Sequence, residues 1–139
     1  VDVTDIVNAK DVSKMTRKEQ EEFLAYLYNY AHYNSMTSND VIEKDMPGVS
    51  EKTQEIIKKE LEDKDFDNKN TDDKIEIGNE VTEKYSFYDY TEAEAIDAVK
   101  KYYDTTEEYA KAMLTDNGYY ETEDKTERSK ILYTLLVVY

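Results

Sequence analysis

The chain has 139 residues, of which 33 are acidic and 18 are basic, so its formal charge at neutral pH is -15. This length fits one domain with one core, and a surface so negative repels phosphate backbones, which argues against direct nucleic-acid binding. Three glycines and one proline supply few of the turns that sandwiches, barrels and Rossmann units need. The composition predicts an all-α fold for residues 1–139, a compact single-domain bundle of about five to seven short helices.

Other classes are excluded by what the sequence lacks. It contains no cysteine, which removes disulfides, thiolate catalysis and cysteine zinc sites together. Its longest apolar run, from Leu135 to Tyr139, is far shorter than the roughly 20 residues that a membrane span needs. We expect no membrane association and no cofactor. The compartment, the oligomeric state and whether a segment preceded Val1 are left open by these absences.

Capping signals organise the first half of the chain. Thr16 and Glu19 form a capping box, and the apolar spacing after it predicts a helix over 17–33. We expect one short helix over 4–12 and a helical turn capped by Ser38. Ser50 is the expected cap of a further helix, whose inward residues are predicted to be Ile56, Ile57 and Leu61.

Residues 60–81 give weaker signals. Seven carboxylates and two lysines stand between Glu60 and Asp73, so too little apolar surface is available to order this stretch. We therefore predict a mobile acidic loop at about 62–73. The next residues alternate like a strand at Ile75 and Ile77 but also fit a helix. We prefer the helix and keep a small β element near 74–78 as the alternative.

The last third repeats one local pattern of tyrosines, an acid, a threonine and a further acid. Its copies begin at Tyr88, Tyr102 and Tyr119, a spacing that fits three successive short helices. The predicted capping boxes are Thr91 with Glu94 and Thr105 with Glu108, and a cap at Thr122 is implied by the third copy. The predicted left-handed helix stop is 116–118.

Residues with catalytic or metal-binding chemistry are scarce. His32 is the one histidine, and no glycine lies in a phosphate-binding or nucleophile-elbow motif. We therefore expect no enzymatic activity. Asp63, Asp65 and Asp67 copy the first half of a calcium-binding EF-hand loop, but position 12 is Lys74 where a bidentate glutamate should stand. Weak divalent-ion binding at these aspartates is left open.

The aromatic residues are 14 tyrosines and 3 phenylalanines, while tryptophan is absent. On the helix after Thr16 some tyrosines share one face, so that helix is either buried all round or displays a tyrosine stripe. Tyrosines interleaved with carboxylates suit the recognition of arginine and lysine on a partner. The predicted partner-binding residues are Tyr26, Tyr30, Tyr33, Tyr102, Tyr103, Asp104, Tyr119, Tyr120 and Glu121.

A negative, tyrosine-rich surface complements a basic cleft, and basic clefts mostly bind DNA or RNA. In its composition the chain resembles phage- and plasmid-borne nucleic-acid mimics, which include antirestriction and anti-CRISPR proteins. That resemblance implies a non-catalytic inhibitor whose partner is a basic protein with a nucleic-acid-binding cleft. It also implies a location in the cytoplasm of a bacterial host, with secretion left open.

A shorter resemblance concerns the residues from Asp89 to Glu94 (Asp-Tyr-Thr-Glu-Ala-Glu) and the later pair Tyr119 and Tyr120. They resemble the first helix and the paired toxin-contacting tyrosines of nuclease-colicin immunity proteins, which would make Tyr119 and Tyr120 the contact pair.

The alternative hypothesis is a phage assembly protein, or a secreted protein-binding domain, whose charge serves solubility alone.

Overall fold

The computed structural model describes residues 3–138, and within that range all regular structure is helical. The all-α prediction is confirmed, with eight α-helices and no β element in the described range. The helices are α1 Val3–Asn8, α2 Arg17–Tyr33, α3 Ser38–Asp40, α4 Glu51–Asp63, α5 Thr71–Tyr85, α6 Glu92–Tyr102, α7 Glu107–Asp116 and α8 Lys125–Tyr133. The 3₁₀ turns are Val12–Lys14 and Phe66–Asn68, and the π-helical turns are Val41–Asp45 and Thr134–Val138. Over residues 3–138, none of these helices combines the length and apolar character needed to cross a bilayer.

Capping chemistry sets the boundaries of the first helices. The box of Thr16 and Glu19 opens α2, which has the bounds predicted. The helix predicted over 4–12 is instead divided into α1 and a 3₁₀ turn. Thr37, not Ser38, caps α3, because its side chain accepts from the Asp40 amide while the Asp40 carboxylate accepts from the Thr37 amide.

The segment predicted to be a mobile loop at about 62–73 consists of the end of α4, a 3₁₀ turn and the start of α5. Its structure is anchored by Phe66, which is completely buried. Asp67 reinforces the turn by accepting hydrogen bonds from the Ser38 amide at 2.7 Å and the Ser38 hydroxyl. The prediction of a loop, which depends on the number of charges alone, is wrong. The buried ring of Phe66 and the Asp67 carboxylate, which accepts hydrogen bonds at the start of α3, hold this segment in place.

In place of the alternative strand near 74–78, the structure has α5. This helix packs so closely on α2 that a Cβ atom at Gly78 would lie 2.1 Å from Cε1 of Tyr33. Tyr33 and Gly78 are both buried. Glycine is therefore required here by the approach of an aromatic ring to the helix backbone, and not by an unusual backbone angle.

Buried side chains form two clusters. The first joins α2, α4 and α5 around Ile57, Leu61 and Phe66; Ile56, which we expected to face inward, is instead exposed. The second joins α6, α7 and α8 around Val99, Leu114 and Leu132. Between the clusters runs the turn 86–90, in which Phe87 packs on the second cluster and Tyr88 on the first.

The caps in the last third differ in part from prediction. The box of Thr91 and Glu94 is confirmed, and the stop of α7 places Gly118 at a φ of +83°. However, α7 is capped by Thr106 and not by Thr105. Asp124, not Thr122, caps α8 by accepting from the Thr126 amide.

We expect Gly78→Ala to lower the free energy of unfolding by about 1–3 kcal/mol, because the new methyl group overpacks against Tyr33. This loss should occur although alanine is the better helix former. Urea unfolding followed by circular dichroism measures it. Gly48→Ala is the matched control, since nothing lies within 4 Å of the added Cβ, and it should cost no stability. A Gly78→Ala variant as stable as the control would contradict the described packing of α2 on α5.

Candidate partner-binding surface

The outer face of α5 carries a continuous row of carboxylates. Residues four apart lie on the same face of a helix and rise by about 6 Å, so Asp72, Glu76 and Glu80 follow one another, and Glu83 continues the row. Asp73 flanks it. All five side chains belong to exposed residues. We call this row the α5 ridge, and it extends over about 16 Å.

The two lysines of α5 do not neutralise the ridge, because both are engaged on other sides of the helix. Lys74 is buried, and its ammonium group donates to the Met36 carbonyl at 2.7 Å. The Lys84 ammonium group donates to Glu60 of α4 at 2.6 Å. Both cations are thus used to hold α5 against neighbouring segments, which leaves the outward face negative.

Ion pairs fix the ridge helix to α4. The pair of Lys84 and Glu60 is largely enclosed, and hydrogen bonding to Glu60 raises the pKa of Lys84. A more exposed pair joins Lys64 to Glu80 at 3.0 Å. In the described part of the chain, Lys64 is the one cation within 4.0 Å of a ridge carboxylate, so four of the five ridge charges are unpaired.

Tyr26 stands at the first carboxylate of the ridge. Its hydroxyl donates to Asp72 at 2.6 Å, and the residue is 36% exposed. The hydrogen bond to Asp72, followed by desolvation, raises the pKa of Tyr26 to about 12. This predicted partner-binding residue therefore presents an aromatic edge beside a negative row, a combination that suits the recognition of arginine and lysine.

Three of the other predicted residues are core residues. Tyr30 and Tyr33 lie in the interior side of α2, and Tyr119 lies in the second cluster. Burial, with a contribution from the nearby Asp45 carboxylate, raises the pKa of Tyr33 to about 12. These three side chains are not displayed on the folded surface, so α2 presents no stripe formed by Tyr26, Tyr30 and Tyr33.

The remaining predicted residues lie at the two ends of α6. Tyr102 and Asp104 are exposed at its C-terminal end, where Tyr103 is half-buried and donates to the Leu135 carbonyl at 2.6 Å. Tyr120 and Glu121 are exposed in the turn beside its N-terminal end. Because α6 is about 15 Å long, the nine predicted residues do not form one surface.

Tyr120 has a specific neighbour in the first turn of α6. Desolvation, followed by a hydrogen bond to the Glu92 carboxylate, raises its pKa to about 12. Glu92 also lines a shallow groove of about 380 Å³ between α6 and α7. That groove contains Lys100 and Lys111 in addition to its carboxylates, so its charge is mixed, unlike that of the α5 ridge.

His32 and the acidic turn offer little metal chemistry. The His32 imidazole lies 2.8 Å from Asp45, and no group of three or more potential ligands converges in residues 3–138. Asp65 accepts from the Asn68 amide group and Asp67 accepts from Ser38. Two of the three aspartates of the partial EF-hand pattern are thus engaged in shaping the turn that leads into α5.

Sequence reasoning missed the α5 ridge because the helix start was assigned to a loop. The available signal was the recurrence of Asp72, Glu76 and Glu80 at intervals of four, followed by Glu83. The same spacing places Lys74 off that face. Once 71–85 is treated as helical, the pattern predicts the ridge directly.

We expect Asp72→Asn to lower the pKa of Tyr26 from about 12 toward the ordinary value of 10.0, because the charged acceptor is removed. The raised pKa means that the stabilisation it reflects is complete below pH 10 and is lost as the pH rises through 12. Alkaline titration of labelled tyrosine by NMR measures this pKa. Asp73→Asn removes an equal charge one residue away and should leave the pKa of Tyr26 nearer 12; equal values in both variants would contradict the hydrogen bond.

Comparison with known proteins adds no relative to this description. No family model matches the sequence, and no significant match was found among curated proteins or solved structures. The case for a function therefore depends on the surface geometry and charge described above.

Proposed function

We propose that this protein is a non-catalytic acidic inhibitor that binds a basic nucleic-acid-handling protein and occupies its cleft in place of DNA or RNA. The observation that carries the proposal is the α5 ridge, whose carboxylates face outward while Lys74 and Lys84 are engaged elsewhere. A row of unpaired negative charges on a rigid element attracts arginine and lysine from a partner and excludes competing anions from the same cleft.

Spacing supports this role. Asp72, Glu76 and Glu80 are about 6 Å apart along the helix, whereas one DNA strand carries a phosphate for about every 3.4 Å of axis. These three carboxylates thus provide roughly half the linear charge density of one strand. Side chains that reach two phosphates can reach two ridge carboxylates, and arginine forms bidentate contacts with carboxylate and phosphate alike.

The remaining surface does not cancel this field. Seven pairs join a lysine or arginine to a carboxylate in residues 3–138, against 33 acidic residues in the chain. Five of those seven pairs link residues three or four apart, and such exposed pairs bind weakly. Long-range attraction to a basic protein is therefore expected at moderate salt.

The test compares two variants with equal charge. The ridge variant carries Asp73→Asn, Glu76→Gln and Glu83→Gln. In the wild-type protein these three carboxylates have no hydrogen-bond or ion-pair partner among the described residues. The control variant carries Glu108→Gln, Asp116→Asn and Glu123→Gln, which remove three exposed charges from other places. Each protein is immobilised and used to capture proteins from a bacterial lysate, and duplex DNA is then added as competitor.

We expect the wild-type protein and the control to capture the same basic nucleic-acid-binding protein, and duplex DNA to displace it. The ridge variant should lose about tenfold or more in affinity, since charged hydrogen bonds contribute about 1.5–3 kcal/mol each. An equal loss of affinity in both variants would contradict a specific role of the α5 ridge, because only net charge would then determine binding. Failure of DNA to compete would contradict occupation of a nucleic-acid cleft.

A further inference from the structure

A small pocket, separate from the α5 ridge, lies where the turn 86–90 meets the first turns of α6 and α8. Its volume is about 190 Å³. Its apolar walls are formed by Phe87, Tyr88, Tyr90, Tyr119 and Leu132. A cavity of about 150 Å³ holds a benzene molecule, so this pocket has room for a single six-membered ring and one small substituent.

Of the two carboxylates that line the pocket, Asp89 is already occupied. It accepts from the Ser50 amide at 3.1 Å and from the Thr53 hydroxyl at 2.7 Å, and thereby holds the start of α4 in place. Glu92 is exposed and also lines the groove between α6 and α7. Asp89 is therefore not directed at a ligand in the pocket.

The two cations of the pocket pack on aromatic rings and form no ion pair. The Lys125 ammonium group lies 5.3 Å from the centre of the Tyr88 ring, and the Arg128 guanidinium carbon lies 5.8 Å from that of Tyr119. Over residues 3–138, neither cation approaches a carboxylate oxygen within 4.0 Å. Neither positive charge is therefore bonded directly to a carboxylate, and both can attract an anion into the pocket.

Hydrogen bonding also leaves Arg128 with capacity for a ligand. Its Nε donates to the Thr122 carbonyl at 2.8 Å, which fixes the direction of the side chain. A guanidinium group has five N–H donors in total. The two terminal nitrogens of Arg128 donate no hydrogen bond within the described residues, so they are available to donate to an anion in the pocket.

We propose that this pocket binds a small aromatic carboxylate, with its ring among the tyrosines and its carboxylate on Arg128 and Lys125. A cationic ligand would be repelled by both side chains. An inorganic anion would leave the aromatic walls without a contact, whereas a ring gains offset or edge-to-face packing with them. The proposal is independent of the α5 ridge and of the function assigned to it.

The test is an NMR titration of the full chain with benzoate as the probe, at constant salt and pH. Benzamide serves as the neutral analogue of the same shape, and acetate and inorganic phosphate serve as anions without a ring. We expect saturable shifts at Thr91, Tyr119 and Arg128 with benzoate, and affinity lower by about tenfold or more for benzamide. Equal binding of benzamide, or binding of phosphate as strong as that of benzoate, would overturn the proposal.

Variants locate the site. Lys125→Gln removes one cation without removing a hydrogen bond, and Arg128→Gln removes the other. Both should weaken benzoate binding by about tenfold, the loss expected for one charged hydrogen bond. Lys100→Gln, in the groove between α6 and α7, is the charge-matched control and should bind as the wild-type protein does. Unchanged affinity in Lys125→Gln, or absence of any saturable shift with benzoate, would also overturn the proposal.

Discussion

The contact between Tyr33 and Gly78 determines the rotation of α5, and the rest of the surface depends on it. With an aromatic ring lying directly on the helix backbone, α5 can turn only one face toward α2. The Lys74 ammonium group then reaches the Met36 carbonyl and the Lys84 ammonium group reaches Glu60. Because these inward and lateral positions take the cations, the carboxylates of α5 are left on the outside.

Placing several carboxylates on one face of α5 costs free energy. Like charges about one helical turn apart repel each other and weaken an isolated helix, and the wider surface adds to that repulsion. This repulsion is offset by burial of Phe66, Val81 and Tyr85 in the first cluster. The two ion pairs between α4 and α5 offset it further. A negative row held in this way persists in the absence of a partner, so binding does not have to order it first.

Much of the fold could be predicted from the sequence, because the signals were local. The capping boxes at Thr16 and Thr91 indicate the starts of α2 and α6. The turn into α5 could not be predicted, since Phe66 and Asp67 act through contacts with residues far away in the chain. The choice of Thr37 over Ser38, and of Thr106 over Thr105, depends on which of two adjacent hydroxyls the backbone directs at the helix start.

The candidate site was predicted less well than the fold. A tyrosine at helical spacing gives the same sequence pattern whether it is buried or displayed, and this ambiguity accounts for Tyr30 and Tyr33. Tyr26 was chosen for its neighbours on α2, but the carboxylate it contacts, Asp72, lies 46 residues away. The pocket beside the turn 86–90 draws residues from three separate segments, so no spacing in the sequence indicates it.

The central claim is that an outward negative row on α5 captures a basic protein by electrostatic attraction. Its most direct test is the association rate with the captured partner as salt is raised from about 0.05 to about 0.5 M, a range over which screening removes long-range attraction between exposed charges. The account predicts a steep fall in that rate for the wild-type protein and a shallower fall for the variant that lacks the charges of Asp73, Glu76 and Glu83. An association rate that stays constant across this range would contradict it.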